Sequence, residues 1–182
     1  AQQMPEVMAR KIARANIQQA FVRDTVVRLA RTYDRPSLLC VGSYEDTASA
    51  GVVMSGYPVE EVDPVINYDL STYLSKPSTK RGSFQIVFST SVIEHVTDDE
   101  TFVKDMEELL APGGVGVFTC DFNDAYKVGD PLPIEDRRFY TRRDLETRFP
   151  ALLLRSELID TPSWSCEDPD FSYGGIKYTF AT

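Results

Sequence analysis

The strongest constraint on the fold of this chain comes from three short, largely apolar runs of residues. Each run is followed directly by a glycine or by polar side chains. They cover residues 37–41, 84–88 and 115–120. Runs of this kind, without regular alternation of apolar and polar positions, are typical of strands buried on both faces of a parallel sheet. The residues that follow such strands collect at one edge of the sheet, where open α/β folds bind their ligands.

Helical patterns alternate with these strands. The spacing of apolar residues predicts a helix over about residues 5–33, and a short helix is predicted over 47–54. Asp98 is an N-cap candidate with acidic residues in the turn that follows, and Thr141 begins a further helix. Strands that alternate with helices predict an α/β fold of three layers, with a mainly parallel sheet covered on both faces.

Four more segments have the pattern of strands. They lie at residues 59–63, 66–70, 152–158 and 177–181, with a long loop rich in Pro, Ser, Asp and Gly between the last two. The gap between 59–63 and 66–70 is too short for a crossover helix, since such a connection needs about a dozen residues. We therefore expect a fold that is shortened between its second and third strands.

The length of 182 residues suits one domain with a small appendage. We divide the chain into an N-terminal helical extension over residues 1–35 and a domain over residues 36–182. The chain stops inside the last predicted strand. We therefore expect the domain to be cut from a longer protein at its C-terminal side.

Charge and cysteine content exclude several classes of protein. The net charge is −9, with +4 on residues 1–35 and −13 on the remainder, and so acidic a domain repels a nucleic-acid backbone. The apolar runs are too short to span a bilayer, and no N-terminal segment has the order of a secretory signal. Three widely spaced cysteines predict free thiols of a cytoplasmic protein rather than disulfides or a zinc site: Cys40, Cys120 and Cys166.

Polar side chains follow four of the predicted strands. Asp63 ends the second strand, where a carboxylate is placed to accept the two hydroxyls of a ribose. Gly42, after the first strand, allows a tight turn and the close approach of a ligand. The other candidates at this edge are Ser43 and Glu45 after the first strand, Ser89, Ser91 and His95 after the strand at 84–88, and Asp121 after the strand at 115–120.

The order of these motifs resembles the class I S-adenosylmethionine-dependent methyltransferases. Residues 38–42 look like the family's first motif, and Val62-Asp63 looks like its acidic second motif. Residues 84–96 resemble the family's fourth strand and the loop that follows it. Residues 109–115, Leu-Leu-Ala-Pro-Gly-Gly-Val, match its L-x-P-G-G turn. The resemblance covers roughly residues 36–150. It implies a Rossmann-like sheet with strand order 3-2-1-4-5-7-6, the seventh strand antiparallel, and S-adenosylmethionine as cofactor.

The resemblance also assigns the cofactor-binding residues. Gly42, Ser43 and Glu45 would surround the methionine part, and Asp63 would hold the ribose. Asp69 resembles the residue that contacts the adenine amino group, and Ser89 and Ser91 complete the set. The first motif departs from the family, because Cys40, Tyr44 and Asp46 stand where an acid and two glycines are expected.

His95 and Asp121 are the candidate catalytic residues facing the acceptor. Methyl transfer needs an aligned nucleophile and removal of its proton, and a histidine titrates near neutral pH. The alternative for His95, the one histidine of the chain, is a structural role in a packed loop. Asp121, Asn123 and Asp124 could position a hydroxyl, hold a divalent metal or cap a loop, and no metal site is assigned.

These features predict methyl transfer to a hydroxyl or amine of a small molecule or of a glycan sugar. The predicted partner is such a small-molecule or carbohydrate acceptor, with neither nucleic acid nor a membrane span. The glycine-poor first motif supports an alternative, a catalytically inactive methyltransferase-like domain that acts as a binding module. A nicotinamide-binding domain ranks last, because G-x-G-x-x-G is replaced by Gly42-Ser-Tyr-Glu-Asp-Thr47.

Overall fold

A six-stranded sheet forms the centre of the molecule. The computed structural model describes residues 15–159 and 171–182. The strands are β1 (Leu38–Val41), β2 (Val59–Val62), β3 (Phe84–Thr90), β4 (Leu110–Phe122), β5 (Phe171–Tyr173) and β6 (Ile176–Ala181). Their order across the sheet is β2-β1-β3-β4-β6-β5. This is the order that the resemblance implied, without the third strand of that order.

Strand directions also agree with the expected fold. β1 pairs in parallel with β2 and with β3, and β3 pairs in parallel with β4. β6 runs antiparallel to both of its neighbours, β4 and β5. The sheet is thus mainly parallel with one antiparallel strand, and the prediction of a Rossmann-like α/β fold is confirmed.

Alternate residues of β1 face opposite sides of the sheet, and both sides are covered. Leu38 and Cys40 pack in one apolar cluster with α1 (Ala15–Ala30) and α2 (Thr47–Met54). Leu39 and Val41 pack in a second cluster with α3 (Leu70–Ser75) and α4 (Asp99–Leu109). These three layers bury the apolar runs from which the strands were predicted.

The helices of the described residues follow local signals. α2 has the predicted bounds and begins after Asp46, whose Oδ1 accepts from Ser49 N at 2.7 Å. α4 is capped by Asp98, whose Oδ1 accepts from Thr101 N at 3.0 Å. α1 lies within the predicted helix at 5–33, and residues 5–14 of that prediction lie outside the described residues. The helical segment predicted to begin at Thr141 contains a π-helical turn at Asp144–Arg148, which is followed by a 3-10 turn at Pro150–Leu152.

Two predicted strands were wrong, and side-chain hydrogen bonds explain both. Residues 66–70 form a turn that leads into α3, because the Asp69 carboxylate accepts from Thr72 N and Oγ1, both at 2.8 Å. Within 152–158, Leu154 N and Arg155 N donate to the Glu107 carboxylate and not to a neighbouring strand. The loop expected before the last strand contains β5, and Cys166 lies outside the described residues.

Cys40 and Cys120 are buried free thiols, as the sequence predicted. Burial raises the pKa of both thiols well above the ordinary range. None of the helices in the described residues combines the length and apolar character needed to cross a membrane. The division between residues 1–35 and 36–182 stays a prediction.

Candidate functional site

The loop after β1 depends on Gly42. Its φ of +83° lies in the region that favours glycine, and its N–H donates to Val62 O at 2.7 Å. A Cβ at this position would lie 2.3 Å from Val92 Cγ2. The backbone therefore turns tightly at the end of β1 and passes close to the loop that follows β3.

Asp63 ties the end of β2 to this loop. It is buried, its Oδ2 accepts from Tyr44 N at 3.1 Å, and its Oδ1 accepts from Val65 N at 2.7 Å. Each carboxylate oxygen can accept a second hydrogen bond. The carboxylate is thus fixed in orientation and retains acceptor capacity for a diol.

Three buried hydroxyl groups near the carboxyl ends of β1 and β3 have no hydrogen-bond partner among residues 15–159 and 171–182. Ser43 Oγ, Ser89 Oγ and Thr90 Oγ1 have no hydrogen-bond partner in the described part of the chain. Buried polar atoms in native proteins are nearly always hydrogen-bonded, and a bound ligand is one source of the missing bonds. β1 and β3 are neighbours in the sheet, so these hydroxyls belong to one edge. This observation fits a polar ligand at the switch point of the sheet.

The other predicted cofactor residues have different surroundings. Glu45 is exposed, and Asp69 is an exposed helix cap whose pKa the Thr72 N–H and hydroxyl hold below its ordinary value. Ser91 has a φ of +56° and its Oγ donates to Glu94 Oε1 at 2.7 Å. Ser91 therefore supports Glu94, and the roles of Glu45, Asp69 and Ser91 at a cofactor stay predictions.

α1 contributes two residues that the sequence reasoning missed. Gln19 Oε1 accepts from Ala48 N at 2.9 Å and from Thr47 Oγ1 at 3.3 Å, at the N-terminus of α2. Gln18 Nε2 donates to Thr119 Oγ1 of β4 at 2.7 Å. Both glutamines are buried on a helix whose other buried residues are apolar. Two adjacent amides beside such an apolar stripe are the signal that could have identified them.

Three carboxyl groups form an acidic cluster, which we define as Glu94, Asp121 and Asp136. Glu94 is fully buried, and its Oε2 has no hydrogen-bond partner among the described residues. Asp121 is buried near the end of β4, and the Asp136 side chain is only 4% exposed. Asp136 was not predicted, because it follows no strand. The backbone bond from Arg137 N to Glu94 O, at 2.9 Å, brings its loop to the cluster.

The cluster holds a proton at neutral pH. Burial, together with the negative charges of Glu94 and Asp136, raises the pKa of Asp121 to about 9. Burial also raises the pKa of Glu94 and of Asp136, and the nearby His95 opposes both shifts. Asp121 is therefore neutral at pH 7 and can donate to the Asp136 carboxylate within hydrogen-bonding reach.

His95 links the acidic cluster to solvent. Its Nδ1 lies 3.2 Å from Asp136 Oδ1 and 3.0 Å from Glu135 O, and its side chain is 41% exposed. Both neighbours are acceptors, so we assign the proton to Nδ1, which leaves Nε2 able to accept a proton. The structure thus brings His95 and Asp121 into one cluster, as their places after β3 and β4 predicted.

Asn123 and Asp124 stabilise a loop. Asn123 Oδ1 accepts from Ala125 N at 2.9 Å, and Asp124 Oδ1 accepts from Arg142 N at 2.8 Å. Within residues 15–159 and 171–182, no group of three or more His, Cys, Asp or Glu side chains has an arrangement suited to a metal ion. Of the alternatives for these two residues, the contacts favour the loop cap.

Residues 49–118 match the family model described as "Methyltransferase domain". A curated relative, norajmaline N-methyltransferase of Rauvolfia serpentina, is 32% identical over 95 residues, which are 50% of this chain and 30% of that protein. Over these residues the chain resembles the class I, Rossmann-like methyltransferases, as its motifs predicted. It spans less than a third of the curated relative that it matches.

Solved structures of low sequence identity share the methyltransferase fold. The MccD protein superposes with a TM-score of 0.53 at 9% identity, over 72% of this chain and 68% of that chain. The CurJ carbon methyltransferase superposes with a TM-score of 0.50 at 12% identity, over 62% of this chain and 37% of that chain. Similarity at this level concerns the fold alone, and the predicted resemblance to the family is confirmed.

Proposed function

We propose that this methyltransferase-family domain binds S-adenosylmethionine and transfers its methyl group to an oxygen or nitrogen of a small molecule or sugar. The observation that supports the proposal is the edge formed by β2, β1 and β3. It presents the buried Asp63 carboxylate together with the buried hydroxyls of Ser43, Ser89 and Thr90, which lack partners in the described residues. A nucleoside with a charged amino-acid tail supplies the hydrogen bonds that such groups need.

Different residues of this edge would hold different parts of the cofactor. The turn at Gly42 and the Ser43 hydroxyl would hold the amino-acid part, and Asp63 would accept the ribose hydroxyls. Ser89 and Thr90, at the carboxyl end of β3, would contact the cofactor near the transferring methyl group. Glu45, Ser91 and Asp69 remain proposed contacts of the amino-acid and adenine ends.

The acceptor would lie beside His95 and Asp121. Bound S-adenosylmethionine supplies a methyl group on a sulfonium, so the protein mainly aligns the acceptor and takes its proton. Nε2 of His95 is free to accept that proton in the tautomer set by Glu135 O and Asp136. Asp121, neutral because of its raised pKa, would position the acceptor as a hydrogen-bond donor.

Calorimetric titration with S-adenosylhomocysteine tests the cofactor site. We expect micromolar binding by the intact chain and a loss of at least about tenfold, roughly 1.4 kcal/mol, for Asp63→Asn. Asp34→Asn, an exposed acid that precedes β1 and so lies at the end of the strand opposite to the site, is the matched control and should bind like the original. Failure of the folded, unaltered chain to bind would overturn the proposal, whereas binding without methyl transfer to any acceptor would favour the binding module.

A further inference from the structure

The acidic cluster contains a fully buried carboxyl group, Glu94, that the described residues leave incompletely hydrogen-bonded. Glu94 is fully buried, yet its carboxylate accepts one hydrogen bond, from Ser91 Oγ, and Oε2 faces no donor among the described residues. A buried carboxylate is costly unless it is paired with a cation and hydrogen-bonded. The site therefore lacks a group that carries both N–H donors and positive charge.

Neighbouring arginines do not supply that group. Arg137 Nε donates to the His95 carbonyl at 2.8 Å, and Arg138 pairs with Asp99 at 2.9 Å. Within the described residues, no Lys or Arg forms an ion pair with Glu94, Asp121 or Asp136. Among the basic side chains of the part of the chain that the structure describes, the half-exposed His95 alone forms an ion-pair contact with the cluster.

Three aromatic rings pack together near Asp121, because β4, which carries Asp121, pairs with β6, which carries Tyr178. The Phe139 and Tyr178 rings are 4.7 Å apart, and Phe171 stacks on Tyr178 with ring centroids 5.2 Å apart. We call these three rings the aromatic wall. Besides burial, the charges of Asp121, Asp136 and Glu94 raise the pKa of Tyr178, which places its hydroxyl group beside the cluster. Aromatic faces attract cations and pack against apolar or aromatic skeletons.

We propose that the methyl acceptor is an amine on an apolar or aromatic skeleton, bound as its ammonium ion by Glu94 and Asp136 and packed against the aromatic wall. The inference rests on the proposed function, and it chooses nitrogen over oxygen as the methylated atom. An alcohol has one O–H donor and no charge, so it leaves the buried carboxylates without a counter-ion.

The proton and electron pairs balance along this route. The ammonium ion gives one N–H proton to the Glu94 carboxylate, whose pKa burial raises. The lone pair freed on nitrogen forms the N–C bond to the methyl group while the C–S bond breaks and its electron pair stays on sulfur. The product is a methylated ammonium ion. The proton on Glu94 passes to water when the methylated product leaves the site.

An amine and an alcohol of nearly the same shape test whether nitrogen is the methylated atom. In calorimetric titrations with saturating S-adenosylhomocysteine, 2-phenylethylamine should bind at least about tenfold more tightly than 2-phenylethanol. Glu94→Gln keeps the shape of the side chain and should abolish this preference. Glu135→Gln, which alters an exposed carboxyl group in the adjacent loop, is the matched control and should retain it.

The outcomes separate the two proposals. If the unaltered chain does not bind S-adenosylhomocysteine, the proposed function fails before the amine is tested. If it binds but the alcohol equals the amine, or neither probe binds, or Glu94→Gln keeps the preference, the amine inference alone is overturned. It is also overturned if Glu94→Gln weakens binding of S-adenosylmethionine but not of S-adenosylhomocysteine, because the carboxylate then serves the sulfonium.

Discussion

At the scale of single residues, burial decides what the carboxyl groups of the site can do. Asp121 and Asp124 are three positions apart, and only the first is buried. Asp121 keeps its proton at neutral pH, because burial and the charges of Glu94 and Asp136 raise its pKa to about 9. In the proposed reaction Asp121 is therefore a donor at neutral pH, and the acceptor and base roles are assigned to Glu94, Asp136 and His95.

The pKa of Asp121 makes stability depend on pH. In the unfolded chain an Asp titrates near ~3.9, so between that value and about 9 the folded state holds an extra proton. This stabilisation is complete below the pKa that Asp121 has in the unfolded chain. It is lost as pH rises through the pKa in the folded chain, and the free energy of unfolding falls by at most about 1.4 kcal/mol per pH unit. We expect the melting temperature of the free protein to fall between pH 6 and 9, and Asp121→Asn to flatten that slope.

Calorimetric melting at several pH values checks this prediction. Asp124→Asn is the control, since its carboxyl group is exposed and should leave the slope unchanged. Parallel curves for the original chain and Asp121→Asn would show that Asp121 is ionised at neutral pH, contrary to its surroundings.

Most of the candidate site residues were predicted from one property, a position at or just after the end of a strand. Gly42, Asp63, Ser89, His95 and Asp121 could be proposed because the carboxyl ends of parallel strands meet at one edge, and their roles stay predictions. Asp136 could not, because it lies in a proline-rich loop that only the folded chain brings to Glu94. The unpartnered state of Glu94 Oε2 is equally invisible before the chain is folded.

At the scale of elements, local caps explain which predictions succeeded. α2 and α4 begin after Asp46 and Asp98, and each cap bonds a backbone N–H three residues on. The strands predicted at 66–70 and 152–158 were wrong because carboxylates bind backbone N–H groups there. Asp69 accepts from Thr72 N and Glu107 accepts from Arg155 N, and the apolar pattern of the sequence does not encode either bond. Glu107 in particular captures backbone N–H groups from a distant segment.

Asp99 of α4 holds the segment that carries Tyr140 and Arg148. Its carboxylate, 5% exposed, accepts from Arg148 Nη2 at 2.7 Å, Arg138 Nη1 at 2.9 Å and Tyr140 Oη at 3.0 Å. Although burial acts to raise the pKa of Asp99, the two arginines hold it below its ordinary value. This ion-pair group anchors the segment that follows the loop of Asp136.

Removal of this anchor should be costly. We expect Asp99→Asn to reduce the free energy of unfolding by about 2–3 kcal/mol. This loss is at the low end of the cost of breaking a buried ion pair, because both arginines are partly exposed. Glu100→Gln removes a weaker contact to Arg148 at 3.7 Å and should change stability by less than about 1 kcal/mol. Urea denaturation measures both, and equal effects would mean that Asp99 contributes no more than a surface charge.

At the scale of the whole molecule, the proposed cofactor site at the edge formed by β2, β1 and β3 has contacts with a helix outside the matched family region. The family model begins at residue 49, whereas α1 precedes β1 and packs on the sheet beside α2. Gln18 bonds β4 and Gln19 bonds the start of α2, so the helix connects both sides of the β1–β3 edge. The predicted extension over residues 1–35 thus contains contacts that position the loop after β1.

Gln19 should therefore affect cofactor binding more than Gln18 does. Gln19→Leu leaves the buried Ala48 N–H without its acceptor, and the free-energy cost of about 1–3 kcal/mol falls on the N-terminus of α2. Gln18→Leu is the matched variant, since it removes a bond to Thr119 of β4 from the same buried helix face. We expect both to lower stability in urea, and Gln19→Leu alone to weaken S-adenosylhomocysteine binding by about fivefold or more. Equal affinities in the two variants would show that α1 supports the sheet in general, and that the loop after β1 keeps its geometry without help from Gln19.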